Sequence, residues 1–202
     1  THFARCKILR DARQRDESLS ACMQAITAAL SGNDDLTLAR AFTVRAGIFG
    51  GLGQIESGRQ ELLYAEAVTV RLGDEALKIQ LMMTRAWLDA REDRVESAVA
   101  WADRAIAAAD KSQRMTPLDK AAAYQNLGVI FGMLEHHDRS ITAFRRAIEL
   151  IERVQGPDSG ELVEPLSTLA IPLARWGRLD EALKSYQRAL RIAEQVYGAE
   201  HA

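Results

Sequence analysis

The sequence predicts an all-α fold of about five stacked helix hairpins. Apolar residues recur at three- and four-residue steps along most of the chain, which puts them on one stripe of a helix. Sliding the chain by 42 residues carries Tyr124, Leu127 and Gly128 onto Leu166, Leu169 and Ala170. A loop or turn cluster divides each such segment in two.

The organising stretch is 162–190. Leu166, Leu169, Ala170 and Leu173 share one face of a first helix, and Gly177 ends it. Asp180 and Glu181 suit the exposed amides at the start of a second helix, from which Ala182, Tyr186 and Ala189 face back. Alanines at 170, 182 and 189 let the two backbones approach, while Leu169, Leu173 and Tyr186 fill the space beside them. Pro172 conflicts with this place. It removes a bond to the Thr168 carbonyl, so the helix either kinks there or begins later.

One period earlier, Tyr124, Leu127, Gly128, Phe131, Ser140, Phe144 and Ala147 take the corresponding places, and Glu152, Val154 and Gly156 recur as Glu194, Val196 and Gly198. The succession of a large residue, Leu with Gly or Ala, a large residue, then Ala, aromatic and Ala resembles a tetratricopeptide repeat. Over 121–202, the long period and the E-x-V-x-G tail resemble the subclass found in kinesin light chains and in many bacterial signalling proteins. The resemblance implies a right-handed α-solenoid of helix-turn-helix repeats. Approximate repeats fall at 1–34, 36–73, 75–112, 117–157 and 160–198, in one superhelical domain spanning 1–202.

The earlier repeats are fainter. Residues 3–31 read as a helical pair broken near Arg15 and Asp16, with Ala21, Ala25 and Ala28 on its second helix. SGNDD, 31–35, is a loop. In the second pair, about 36–72, Phe42, Ala46, Gly58, Leu62 and Ala65 suggest a copy displaced by 40 residues. Its glycine-rich bend GIFGGLGQIESG lacks the preceding strand and the Lys-Ser/Thr of a phosphate-binding loop, so its glycines are assigned to a turn and to close packing. The third pair, Asp74 to about Ala109, keeps Met82, Ala86, Ala98, Ala102 and Ala105 but has Arg85 and Asp89 where apolar residues belong. It breaks at REDR, 91–94. KSQRMTP, from 111, is a loop that lets Pro117 open the next helix, and the fourth pair breaks at LEHHD, 134–138. His136 and His137 lack further ligands at metal spacing and read as solvent-facing turn residues.

Composition supports an ordered chain: 48% of 202 residues are hydrophobic and only four are proline. A formal charge of −2 and a pI near 6.1 argue against general nucleic-acid binding. No apolar run is long enough to span a membrane, and the start THFARCKILRDARQ is unlike a secretory signal, so a cytoplasmic location is expected. In that setting Cys6 and Cys22 read as small buried apolar residues of the first pair, with a disulfide as the lesser alternative. Opening on Thr1 and stopping just past a repeat tail, the chain reads as an excerpt from a longer protein.

No G-x-S-x-G, H-E-x-x-H or C-x-x-C motif is present, so no enzyme activity, metal or cofactor is expected. A surface remains. The resemblance implies that first helices line a concave face, and its motif positions select Arg40, Thr43 and Val44 in the second repeat. They select Gln80, Met83, Thr84, Trp87 and Arg91 in the third, Gln125, Asn126, Val129 and Met133 in the fourth, and Glu164, Ser167, Thr168, Ile171 and Arg175 in the fifth. Apolar groups mixed with amides suit an extended peptide or helical segment of a protein partner. Trp87 is the largest candidate anchor, with half-buried packing as its alternative. The implied function is a protein-interaction module, a regulatory or sensory part of a larger bacterial signalling protein, contacting neither nucleic acid nor membrane. The alternatives are a self-associating solenoid, as in a homodimer, or a groove sensor for a small molecule or signalling peptide.

Overall fold

The computed structural model describes residues 1–11 and 14–198. The ten α-helices among them pair as hairpins: α1 (His2–Asp11) with α2 (Arg15–Ser31), α3 (Asp35–Gly51) with α4 (Ile55–Leu72), α5 (Glu75–Arg91) with α6 (Val95–Lys111), α7 (Pro117–Met133) with α8 (His137–Gln155), and α9 (Val163–Arg175) with α10 (Leu179–Tyr197). Residues 1–105 and 106–202 form two compact units.

Local chemistry sets the helix ends. Asp34 and Asp74 accept the backbone N–H groups of Thr37 and Leu77, and Thr116 forms a reciprocal capping box with Asp119 ahead of Pro117. The bends of the second to fifth hairpins each hold one left-handed residue: Gly53 (φ 76°), Asp93 (φ 58°), Glu135 (φ 60°) and Gly177 (φ 77°). The E-x-V-x-G tails are helix stops, in which the Gly156 and Gly198 amides donate to the carbonyls of Glu152 and Glu194. The first bend is expected near Arg15 and Asp16; α2 in fact starts at Arg15, and residues 12 and 13 lie outside the described residues.

One packing register runs through all five hairpins. In the fourth, the Ser140 hydroxyl donates to the Gly128 carbonyl at 2.7 Å, and a Cβ at Gly128 would stand 2.8 Å from the Phe144 ring. In the second, Gly58 lies against the Ala46 carbonyl and Leu62 is buried. In the third, Ala86, Ala98 and Ala102 are wholly buried, as is Ala170 in the fifth. In the first, the Ser18 hydroxyl donates to the Cys6 carbonyl at 2.7 Å.

That bond corrects the first repeat. Its second-helix positions are Ser18, Cys22 and Ala25, three residues ahead of the predicted Ala21, Ala25 and Ala28, and Ala28 is exposed. Cys6 and Cys22 then hold the places of Gly128 and Phe144, where the two helices come closest, and their sulfurs are bonded across a Cα–Cα distance of 5.0 Å. The expected burial holds, and the disulfide that was the lesser alternative joins the two cysteines. C-x-x-C spacing does not reveal this bond, because the pairing of α1 with α2 brings residues sixteen apart into contact.

The polar intruders of the third repeat are partnered. Asp89, 3% exposed, accepts from Arg59 of α4 and from the Ser97 hydroxyl at 2.6 Å, and Arg85 pairs with Glu66 while lying over the Trp101 ring. The glycine-rich bend packs as expected: a Cβ on Gly50 would stand 2.2 Å from the Trp87 ring. Helix α9 runs unbroken through a buried Pro172, so a later start is ruled out. His136 and His137 are half-buried rather than solvent-facing, because the fourth bend tucks them against its own hairpin.

Candidate functional site

The site follows from which residues the helix pairing leaves uncovered. First-helix residues that face neither the partner helix nor the next hairpin stay accessible, and all twelve residues carried forward as contact positions are half-buried or exposed. Thr43 and Val44, also selected, are not: at 3% and 4% exposure they pack inside their hairpin, the Thr43 hydroxyl donating to the Ala39 carbonyl.

In residues 106–202 four of the twelve come together. Val129 and Met133 of α7 and Ile171 and Arg175 of α9 line a cavity of about 190 Å³, joined by Thr168, Pro172 and His137. The spacing explains it. Val129 and Met133 lie four residues apart on one helix, as do Ile171 and Arg175 on the next, so both pairs project from successive turns on one side. The walls are apolar with one cation at the rim. Thr168 donates to the Glu164 carbonyl and is spent locally, while Nδ1 of His137 is buried without a partner. Gln125 and Asn126 sit one turn earlier on α7 and Ser167 on α9, outside this cavity.

In residues 1–105, Gln80, Met83, Trp87 and Arg91 lie along α5 and Arg40 near the start of α3. Trp87 is half-buried because its ring lies on Gly50 and Gly51. The sequence had linked these glycines to close packing without saying what packs there.

A second cavity, of about 530 Å³, was not anticipated. It is lined by Ile106 and Asp110 of α6, Tyr124 and Phe131 of α7, and Asp138, Arg139 and Arg146 of α8. The Tyr124 hydroxyl donates to Asp110, and burial with that bond pushes the phenol up to about 12. Arg139 lies over the Phe131 ring, 4.1 Å from its centroid. Only Tyr124 and Phe131 carried any sequence signal, as packing residues.

Among the described residues no cluster of three His, Cys, Asp or Glu side chains could hold a metal ion, and no helix is long and apolar enough to cross a membrane.

Residues 119–195 match the tetratricopeptide repeat family. No curated protein matches the chain by sequence. Among solved structures, BtubC from P. vanneervenii is similar with a TM-score of 0.74 at 18% identity, over 93% of this chain and 77% of that one. A Rap protein, solved in complex with Competence and Sporulation Factor, gives 0.78 at 16% identity; the alignment covers 95% of this chain and 53% of the Rap protein, about half its length. Kinesin-light-chain repeats from Podosopora anserina give 0.67 at 12% identity over 97% and 94%. The tetratricopeptide repeat family is thus matched across the last two hairpins, and the likeness to solved structures, kinesin-light-chain repeats among them, carries the same helical-repeat fold over all five.

Proposed function

We propose that the chain is a protein-interaction module whose first helices receive an extended peptide or helical segment, serving as a regulatory or sensory part of a larger bacterial signalling protein. The cavity formed by Val129, Met133, Ile171 and Arg175 carries this reading. It has room for one aliphatic or thioether side chain, and Arg175 is placed to pair with an acidic group beside it. The similar Rap protein, solved with Competence and Sporulation Factor, supports a sensor version on the same fold. No catalytic activity is proposed.

Self-association is favoured by a separate observation. Leu179, Leu183, Tyr186 and Leu190 form an exposed stripe on α10, whereas their counterparts on α8, such as Ile141, Phe144 and Ile148, are buried beneath α9. The same chemistry is thus covered in one hairpin and open in the next. Tyr186, predicted to pack inward, is 46% exposed for this reason.

The test is a peptide-display selection on the chain, followed by titration of selected peptides into Ile171→Asp. Placing a carboxylate in the apolar cavity is expected to weaken them about tenfold to a hundredfold, while the circular-dichroism spectrum is unchanged. Selected peptides that bind the variant as tightly as the parent chain would remove this cavity from the function.

A further inference from the structure

The 530 Å³ cavity shares no lining residue with the one beside Ile171 and is of a size that holds small ligands. Its chemistry is divided. Ile106 supplies an apolar wall, Asp110 and Arg146 stand at one end, and Asp138 stands at the other with Arg139 lying over Phe131. Along α8, eight residues separate Asp138 from Arg146, roughly 12 Å at the helical rise.

The next repeat shows why the opening exists. Moving one period on, Asp110 becomes Glu152 and Arg146 becomes Arg188, and these two close on each other at 2.6 Å. In the fourth repeat the acid is one methylene shorter and receives the Tyr124 hydroxyl, for which the fifth repeat has Leu166. Arg146 instead pairs with Glu149 at 2.6 Å. An acid and a guanidinium that pair directly in the next repeat are here neighbours that both meet the Tyr124 hydroxyl instead of closing on each other. Asp110 keeps a second carboxylate oxygen, and Arg146 keeps N–H groups beyond those Glu149 takes.

We propose that this cavity binds a free α-amino acid with a large apolar side chain. Its ammonium is taken by Asp110, its carboxylate by Arg146, and its side chain lies against Ile106 beside the stacked Arg139 and Phe131. The Tyr124 hydroxyl fixes the direction of the Asp110 carboxylate, so the site is set before the ligand arrives. No covalent step is involved. The site is independent of the partner surface proposed above and can stand or fall without it.

L-Phenylalanine is the probe, titrated into the full chain while the Tyr124 ring resonances are followed by NMR. Saturable shifts below about 10 mM are expected. Phenethylamine, which lacks the carboxylate, and 3-phenylpropionate, which lacks the ammonium, should each bind about tenfold or more weakly, as should L-phenylalanine with Arg146→Gln or Asp110→Asn. Ile171→Asp, which disables the other cavity, should leave the titration unchanged. The proposal is overturned if the parent chain shows no saturable shift in that range, or if the two truncated analogues bind as well as the amino acid. The analogue comparison uses the unmodified chain and so does not depend on any variant folding.

Discussion

Phe144→Ala is expected to cost about 3–5 kcal/mol of folding stability, among the largest effects of any single substitution in the chain. The ring is 2% exposed and fills the space above Gly128, with Ile141, Ala147 and Leu166 in the same core cluster. Removing it leaves a void that the helices cannot collapse into without giving up the Ser140–Gly128 bond. The sharper form of the prediction is a double-mutant cycle. In the parent chain Gly128→Ala drives a methyl into the ring, at 2.8 Å, and its packing cost outweighs the roughly 1 kcal/mol that alanine gains in helix propensity. In the Phe144→Ala background the ring is gone and the same change should stabilise. Urea denaturation of the four proteins reads the sign reversal directly.

Breaking the Cys6–Cys22 bond is expected to have an effect of nearly the same size. The bond closes a loop of sixteen residues in sequence, for which chain entropy in the unfolded state gives about 3 kcal/mol. The effect should be local. Cys6, Cys22 and Ala21 form a small cluster with Val44 and Ile48, so loosening α1 and α2 uncovers one face of α3. Hydrogen exchange in α1 and α2 should rise on adding dithiothreitol, and in Cys22→Ala, while amides in α7–α10 keep their protection. Equal protection in α1 and α2 with and without reductant would mean that packing alone holds this hairpin.

Legibility in the sequence followed packing density. The last two hairpins could be read because Leu127, Phe131, Leu169 and Leu173 are large residues at buried motif places, and size there is what stacking demands. The first hairpin was read three residues out of register, since its contacts are made by Ser18 and two cysteines, residue types that carry little periodic signal. Arg85 and Asp89 looked like departures because their partners Glu66, Arg59 and Ser97 come from other helices, which spacing within one helix cannot show. The residues named as contact positions are accessible except Thr43 and Val44, which are buried although their repeat was read in register. The charged cavity was invisible for a related reason. It depends on which of two partners Arg146 chooses, and that is decided by the length of an acid thirty-six positions away.

The central claim is a single register, in which Ala46, Ala86 and Ala170 sit at equivalent points of closest helix approach. Its most direct test is to replace each by leucine and measure unfolding in urea, with the exposed Ala122 and Ala174 as controls. A cost of about 1–3 kcal/mol at each of the three, with changes within about 0.5 kcal/mol at the controls, is the predicted result. Leucine accepted without loss at any of the three would contradict it.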